Sequence, residues 1–416
     1  MKKHKSVFAW ALYDWANSVF ATVVIAGFFP VVFKQYWASD IASDESTFWL
    51  GLANSSASLM VVILAPLLGA IADFTGMRKR MLLAFMILGV VATLLFYPLG
   101  ELAWWLVLST YIFATLGFMA ANIFYDAMLI DVSRNYPIDK VSGMGFGFGY
   151  LGGGLLLLIC VLISENALLL GFSTKMDAVL TAFILTGIWW FIFTMPLAFW
   201  VKESEPVNLE KQVTVSQVFA EVWATFRKIT KNRQIALFLL AYWIYIDGVD
   251  TIIRMAVDYG LALGFEAGNL ITALLITQFV GFPAAILYSY FGDKIGVKRA
   301  LLVAVAVYFM ITIMGYQMET SGDFYILAVM IGLVQGGVQA LSRSFYARLI
   351  PESHAAEYFG VYNMMGKAAA VIGPVLMGSV ALLTGNHRYS ILSIALLFII
   401  GFVVLLFVKS PAERTS

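Results

Sequence analysis

The sequence predicts an all-α membrane protein of twelve transmembrane helices, arranged as two pseudo-symmetric six-helix halves. Three observations carry this. Of 416 residues, 61% are apolar and 12% charged, with a mean hydropathy of +0.88; soluble domains run at about 45–50% apolar and about 25% charged. Apolar stretches of about 20 residues, the length that crosses a bilayer, recur along the whole chain. The second half of the chain also echoes the charges and glycines of the first. The composition excludes a soluble globular protein and a disordered chain. A net charge of +1 without a basic stripe argues against nucleic acid as a partner. Cys160 is the one cysteine, and His4, His354 and His387 lack ligand spacing, so no metal and no other cofactor is expected.

The first span, Phe8–Lys34, follows the basic Met1–Lys5; it is too long for a cleaved signal and carries Asp14 and Asn17, so it is read as retained. Trp49–Ala72 and Met81–Pro98 flank Arg78-Lys79-Arg80, and Trp104–Val132 ends just before Arg134. Ser142–Ile163 carries Gly145, Gly149 and Gly153 at the spacing that lets helices pack closely. Ala178–Val201 closes the first half. The second half holds Ile235–Val257, Leu270–Phe291, Ala300–Gln317, Phe324–Ile350, Tyr358–Leu383 and Tyr389–Val408. The chain therefore divides into residues 1–201, a polar linker over 202–233, and residues 234–416. In the linker, Val215, Val218, Phe219, Val222, Phe226 and Ile229 recur at helical spacing, which predicts an amphipathic helix on the membrane surface. Lys and Arg crowd one set of connections, while the other set is mostly acidic and holds only Lys34, Lys175 and Arg388. That bias places both termini in the cytoplasm.

The internal repeat is specific. Gly69-Ala-Ile-Ala-Asp73-Phe-Thr-Gly76-Met-Arg78-Lys79 follows the second span, and Asp293, Gly296, Lys298 and Arg299 follow the eighth at a constant offset of 220. A short loop needs glycine to turn, and an acid with two bases at helix ends can tie neighbouring helices together. Asp14 and Asn17 are echoed by Asp247 and Asp250, and Phe124-Tyr125 by Phe345-Tyr346. With twelve spans in two halves, the pattern resembles the major facilitator superfamily. Trp10-Ala-Leu-Tyr-Asp-Trp-Ala-Asn17, Ala26-Gly-Phe-Phe-Pro30, Gly149-Tyr-Leu-Gly-Gly-Gly154, Gln339-Ala-Leu-Ser-Arg-Ser344 and Gly373-Pro374 resemble its vacuole-effluxer, autophagy-related branch and the bacterial relatives of that branch. The second copy of the loop motif departs from the pattern, with Ser289 in place of the first glycine. The resemblance implies a secondary transporter, with amino-acid efflux known for fungal members. It also implies that the loop motif governs conformational exchange.

An ionisable side chain at mid-membrane costs about 2.5–3.5 kcal/mol on insertion scales and calls for a reason. Those inside the spans are Asp14 in span one, Asp126 in four, Asp247, Asp250 and Arg254 in seven, Arg343 in ten and Lys367 in eleven. If the halves are related, spans one, four, seven and ten are equivalent, and they hold nearly all the buried charge. With Asn17, Asn122, Gln339 and Tyr346 these residues are the candidate lining of a substrate cavity. Asp250 and Arg254, one turn apart, are placed to pair. Asp247 and Asp126 have no basic residue one turn away, which makes them the leading proton carriers, with Asp14 third. Interhelical glue is the bland alternative for any one of these groups.

The expected activity is secondary active transport of a small solute by alternating access, coupled to protons. A cavity with both Asp and Arg suits an amino acid or related zwitterion. Export of amphiphilic drugs or lipids, or sugar transport, are the alternatives within transport. A membrane-embedded enzyme is the rival class, and no nucleophile–base or metal constellation supports it. The expected setting is a monomer in the lipid bilayer, in the bacterial cytoplasmic membrane, or in the vacuolar membrane for a fungal chain.

Overall fold

A computed structural model describes residues 2–99, 103–132, 136, 138–202, 223, 227–349, 361–362, 364–366, 368–369 and 372–409, and every regular element among them is helical. Ten helices among the described residues are long and apolar enough to cross a membrane. Arg78–Leu95 and Ile372–Thr384 take the third and eleventh places. The former opens on three bases, which dilutes its apolar character. The latter is the described end of a span whose residues 361–362 and 364–366 are also helical. The remaining spans are Ser43–Thr75 (two), Trp104–Val132 (four), Ile138–Glu165 (five), Lys175–Trp200 (six), Arg233–Ala262 (seven), Ala267–Ile295 (eight), Val297–Gln317 (nine), Ser321–Leu349 (ten) and His387–Leu406 (twelve).

Span one is not a uniform α-helix. It runs α-helically over Lys2–Val19, widens to π-helix over Phe20–Phe28, returns to α over Phe29–Val32 and widens again over Phe33–Trp37. Pro30 lies between the two widened stretches. It has no N–H to give the preceding turn, and the wider hydrogen-bonding step on either side absorbs that loss. The span thereby reaches Trp37, further than the apolar run alone indicates. Span six starts on a capping box between Thr174 and Asp177, and spans seven and twelve start on Asn232 and Asn386, whose side chains accept backbone N–H groups.

Ser6 Oγ donates to the Trp200 carbonyl (3.0 Å), and the Lys409 amide donates to Gln234 Oε1 (2.7 Å). The start of span one thus sits beside the end of span six, and the end of span twelve beside the start of seven. We call this side the terminal face. Gly76 and Gly296 end spans two and eight there with φ of 67° and 88°, left-handed values that a side chain would strain. The amphipathic helix expected over 202–233 falls mostly outside the described residues. Apolar side chains such as Ile63, Phe199, Leu287 and Phe407 project outward, as an exterior solvated by lipid requires.

Candidate functional site

A cavity of about 380 Å³ lies between the halves, lined chiefly from spans one, four, five, seven, eight and ten. Its size is that of a small-molecule site. Of the candidate residues, Asp14, Asn122, Asp126, Asp250, Arg254, Gln339 and Arg343 line it. The geometry links the halves through charge. Arg343 Nη2 of span ten lies 3.5 Å from Asp126 Oδ1 of span four, and the Arg343 guanidinium also stands 5.3 Å from the Phe146 ring centre. Arg254 of span seven reaches into the first half, with Nη1 3.3 Å from Ser58 Oγ and Nη2 3.7 Å from Met119 Sδ.

Four expectations change. Asp247 does not line the cavity: it is 2% exposed, and both carboxylate oxygens accept the Gly373 amide at 3.0 Å. The amide belongs to the first turn of Ile372–Thr384, where N–H groups have no partner within their own helix; Asp247 caps that helix from span seven. Removing the cap strands a buried donor, so Asp247→Ala is expected to lower stability by about 1–3 kcal/mol, read as a lower melting temperature in detergent. An unchanged melt would deny the capping role. Asp250 and Arg254 line the same wall, but Arg254 makes the interhalf contacts above instead of the expected pair. Tyr346 is fully buried, stacked at 5.0 Å on Tyr362 and 5.9 Å from Phe238. Asn17 is 2% exposed and donates to Asn122 Oδ1, tying span one to span four. Lys367 lies outside the described residues.

Two features had no sequence signal. Aromatic pairs flank the charges: Trp10 stacks on Tyr125 and Tyr242 on Tyr362, each at 4.3 Å between ring centres. With 15% of the chain aromatic, nothing in the sequence signalled that these rings pair, although Trp10 and Tyr125 fall in stretches noted above. The second feature is a buried ion pair on the face away from the termini. Lys34 Nζ, at the end of span one, lies 2.9 Å from Asp258 Oδ1, at the end of span seven. Thr47 Oγ1 of span two donates to Asp258 Oδ2 (2.7 Å), and Lys34 Nζ donates to Thr47 Oγ1 (2.8 Å). Beside it the halves meet backbone to backbone: a Cβ on Gly51 would stand 2.5 Å from the Pro374 carbonyl oxygen. These contacts hold the two halves together on that side.

On the terminal face the repeated loop motif makes helix-end contacts. Arg78 Nη1 lies 2.9 Å from Asp131 Oδ2 at the end of span four. Lys79 Nζ donates to the Ala198 and Val201 carbonyls (3.2 and 2.9 Å) at the end of span six. In the second half Lys298 does the equivalent for span twelve, donating to the Leu406 carbonyl (2.9 Å), and Arg299 is exposed. Cations at helix C-termini satisfy carbonyls that the helix leaves free. The side chains of Asp73 and Asp293, and the environment of Gly69, lie outside the described set.

Residues 43–415 match the family model described as "Vacuole effluxer Atg22 like". The chain is similar to the MFS-type transporter YxiO of Bacillus subtilis, 38% identical over 98% of this chain and 95% of that one. It is also similar to autophagy-related protein 22 of Coccidioides immitis, 23% identical over 97% of this chain and 86% of that one. Among solved structures, the D-xylose-proton symporter superposes with a TM-score of 0.73 at 14% identity, over 100% of both chains, a likeness of fold.

Proposed function

Since this chain belongs to the vacuole effluxer Atg22-like family of MFS-type transporters, we propose that it is a secondary carrier moving a small zwitterion, an amino acid or a close relative, together with a proton by alternating access. The observation that carries this is the Asp126–Arg343 pair, which joins the two halves inside the cavity. A carrier needs a cavity whose occupancy is felt by both halves. A proton on Asp126 neutralises one side of the pair and lets the Arg343 guanidinium exchange that carboxylate for the substrate's, which it grips in a two-pronged contact. Substrate and proton then load together. Efflux, in this reading, is efflux in the vacuolar sense: from a lumen that is topologically outside, toward the cytoplasm. The base-rich terminal face is placed in the cytoplasm, and the likeness to the Bacillus chain supports a bacterial cytoplasmic membrane. The working unit is a monomer, with residues 1–201 and 234–416 rocking about the cavity and 202–233 as their tether.

The test is flux in proteoliposomes preloaded with single amino acids. Expected are saturable counterflow for at least one of them and accumulation driven by external acid. Absence of counterflow across the twenty standard amino acids rejects the zwitterion, and flux that never saturates points to a channel.

A further inference from the structure

Asp14 stands apart from the other acidic side chains between the helices. Asp126 has Arg343, Asp258 has Lys34, and Asp247 caps Gly373. Asp14 Oδ1 accepts from Ser18 Oγ at 3.1 Å, and among the described residues no Lys or Arg nitrogen lies within 4.0 Å of it. A carboxylate lining a low-dielectric cavity calls for a cation. A second group points the same way. The Tyr125 hydroxyl is buried and, among the described residues, without a hydrogen-bond partner. Its ring lies flat against Trp10 at 4.3 Å, and Trp10 Nε1 donates to the Tyr125 carbonyl at 2.9 Å. The hydroxyl is therefore held in place, not left to swing toward another partner.

Span five explains why both oxygens sit where they do. A Cβ on Gly145 would stand 2.8 Å from the Tyr125 hydroxyl and 3.2 Å from Asp14 Oδ2. A Cβ on Gly149 would stand 2.5 Å from Ser18 Oγ and 3.2 Å from Asp14 Oδ1. The two glycines give the carboxylate its seat against span five, and any larger residue would push it out. Asp14, Ser18, Tyr125 and Gly149 all line the cavity.

We propose that Asp14 and the Tyr125 hydroxyl form the subsite for the primary ammonium group of the transported solute, with Gly145 and Gly149 as positioning residues. The proposal rests on the zwitterion reading above and deepens it. A primary ammonium has three N–H donors, which suit a carboxylate and a hydroxyl oxygen together. A quaternary ammonium has none and would leave the Tyr125 oxygen unpaired.

The test is calorimetric titration of the purified full-length protein with three matched probes: L-norleucine, pentylamine, which keeps only the amine, and hexanoate, which keeps only the carboxylate. Asp14→Asn is expected to weaken norleucine and pentylamine by about tenfold or more, the usual worth of a charge-assisted contact, and to leave hexanoate within about twofold. Tyr125→Phe, which removes one atom, and Gly149→Ala are expected to weaken the two amines in the same selective way. They decide the matter should Asp14→Asn fail to fold. Norleucine binding that ignores all three substitutions overturns the subsite and leaves the zwitterion reading standing. Pentylamine bound through Asp14 with hexanoate ignored does the reverse. A parent protein that binds neither amine removes the subsite.

Discussion

Asp258→Asn is expected to open the face of the protein away from its termini. The Asp258 side chain is fully buried and that of Lys34 is 10% exposed, 2.9 Å apart across the junction of the halves. Removing one charge of such a pair strands the other, at a cost of about 3–5 kcal/mol. In a two-state carrier the cost falls on the state that holds the pair closed, a shift of about two to four powers of ten in population. The other state separates spans one and two from span seven, where water can reach Lys34. Electron–electron distance measurement between spin labels at Ser39 and Glu266, both exposed, in a Cys160→Ser background, reads this directly. A longer distance population should appear in Asp258→Asn. It should recede in Lys34→Met combined with Asp258→Leu, because two apolar side chains leave no stranded charge. Identical distances in all three proteins would show that the pair does not hold the face closed.

What the sequence revealed and what it concealed follow from range. Span boundaries depend on local apolarity, and the helices stand where that pattern put them. Gly76 and Gly296 were legible because a tight turn leaves a residue type behind. The cavity charges were legible because charge inside an apolar run is conspicuous, and Asp14, Asp126 and Arg343 all face the space between the halves. Asp247 was misjudged because its partner is the Gly373 amide, 126 residues away. A backbone donor carries no mark in the sequence. The Asp258–Thr47 contact joins positions 211 residues apart, and each partner alone reads as an ordinary polar residue at a span end. Span one's departure from α-geometry had its cue in Pro30, but the widened turns on both sides depend on how the span packs.

Asp126→Asn is expected to uncouple the carrier without stopping it. Asp126 is the carboxylate that holds Arg343, and the pair links opposite charges of the two halves across the cavity itself. Around it stand Asp14 and Tyr125 from the first half, and Tyr242, Tyr362 and Asp250 from the second, all lining the same space. The carboxamide keeps the shape and an oxygen acceptor, but it carries no charge and takes no proton. Arg343 is then rid of the Asp126 charge at every pH, so substrate binding no longer depends on proton loading. Exchange of labelled for unlabelled substrate across the membrane should continue at a rate within about tenfold of the parent, because neither the gripping guanidinium nor the buried pair at Asp258 has been touched. Accumulation should vanish. One proton per substrate is worth about 1.4 kcal/mol for each pH unit, or about a tenfold concentration ratio, and the variant should stay near a ratio of one under the same gradient. Asp247→Ala serves as the contrasting control, melting lower while accumulating like the parent. Retained pH-driven accumulation in Asp126→Asn would move the proton to another carboxylate, with Asp14 next in line. Loss of exchange together with accumulation would mean that the pair is needed for the halves to rock at all.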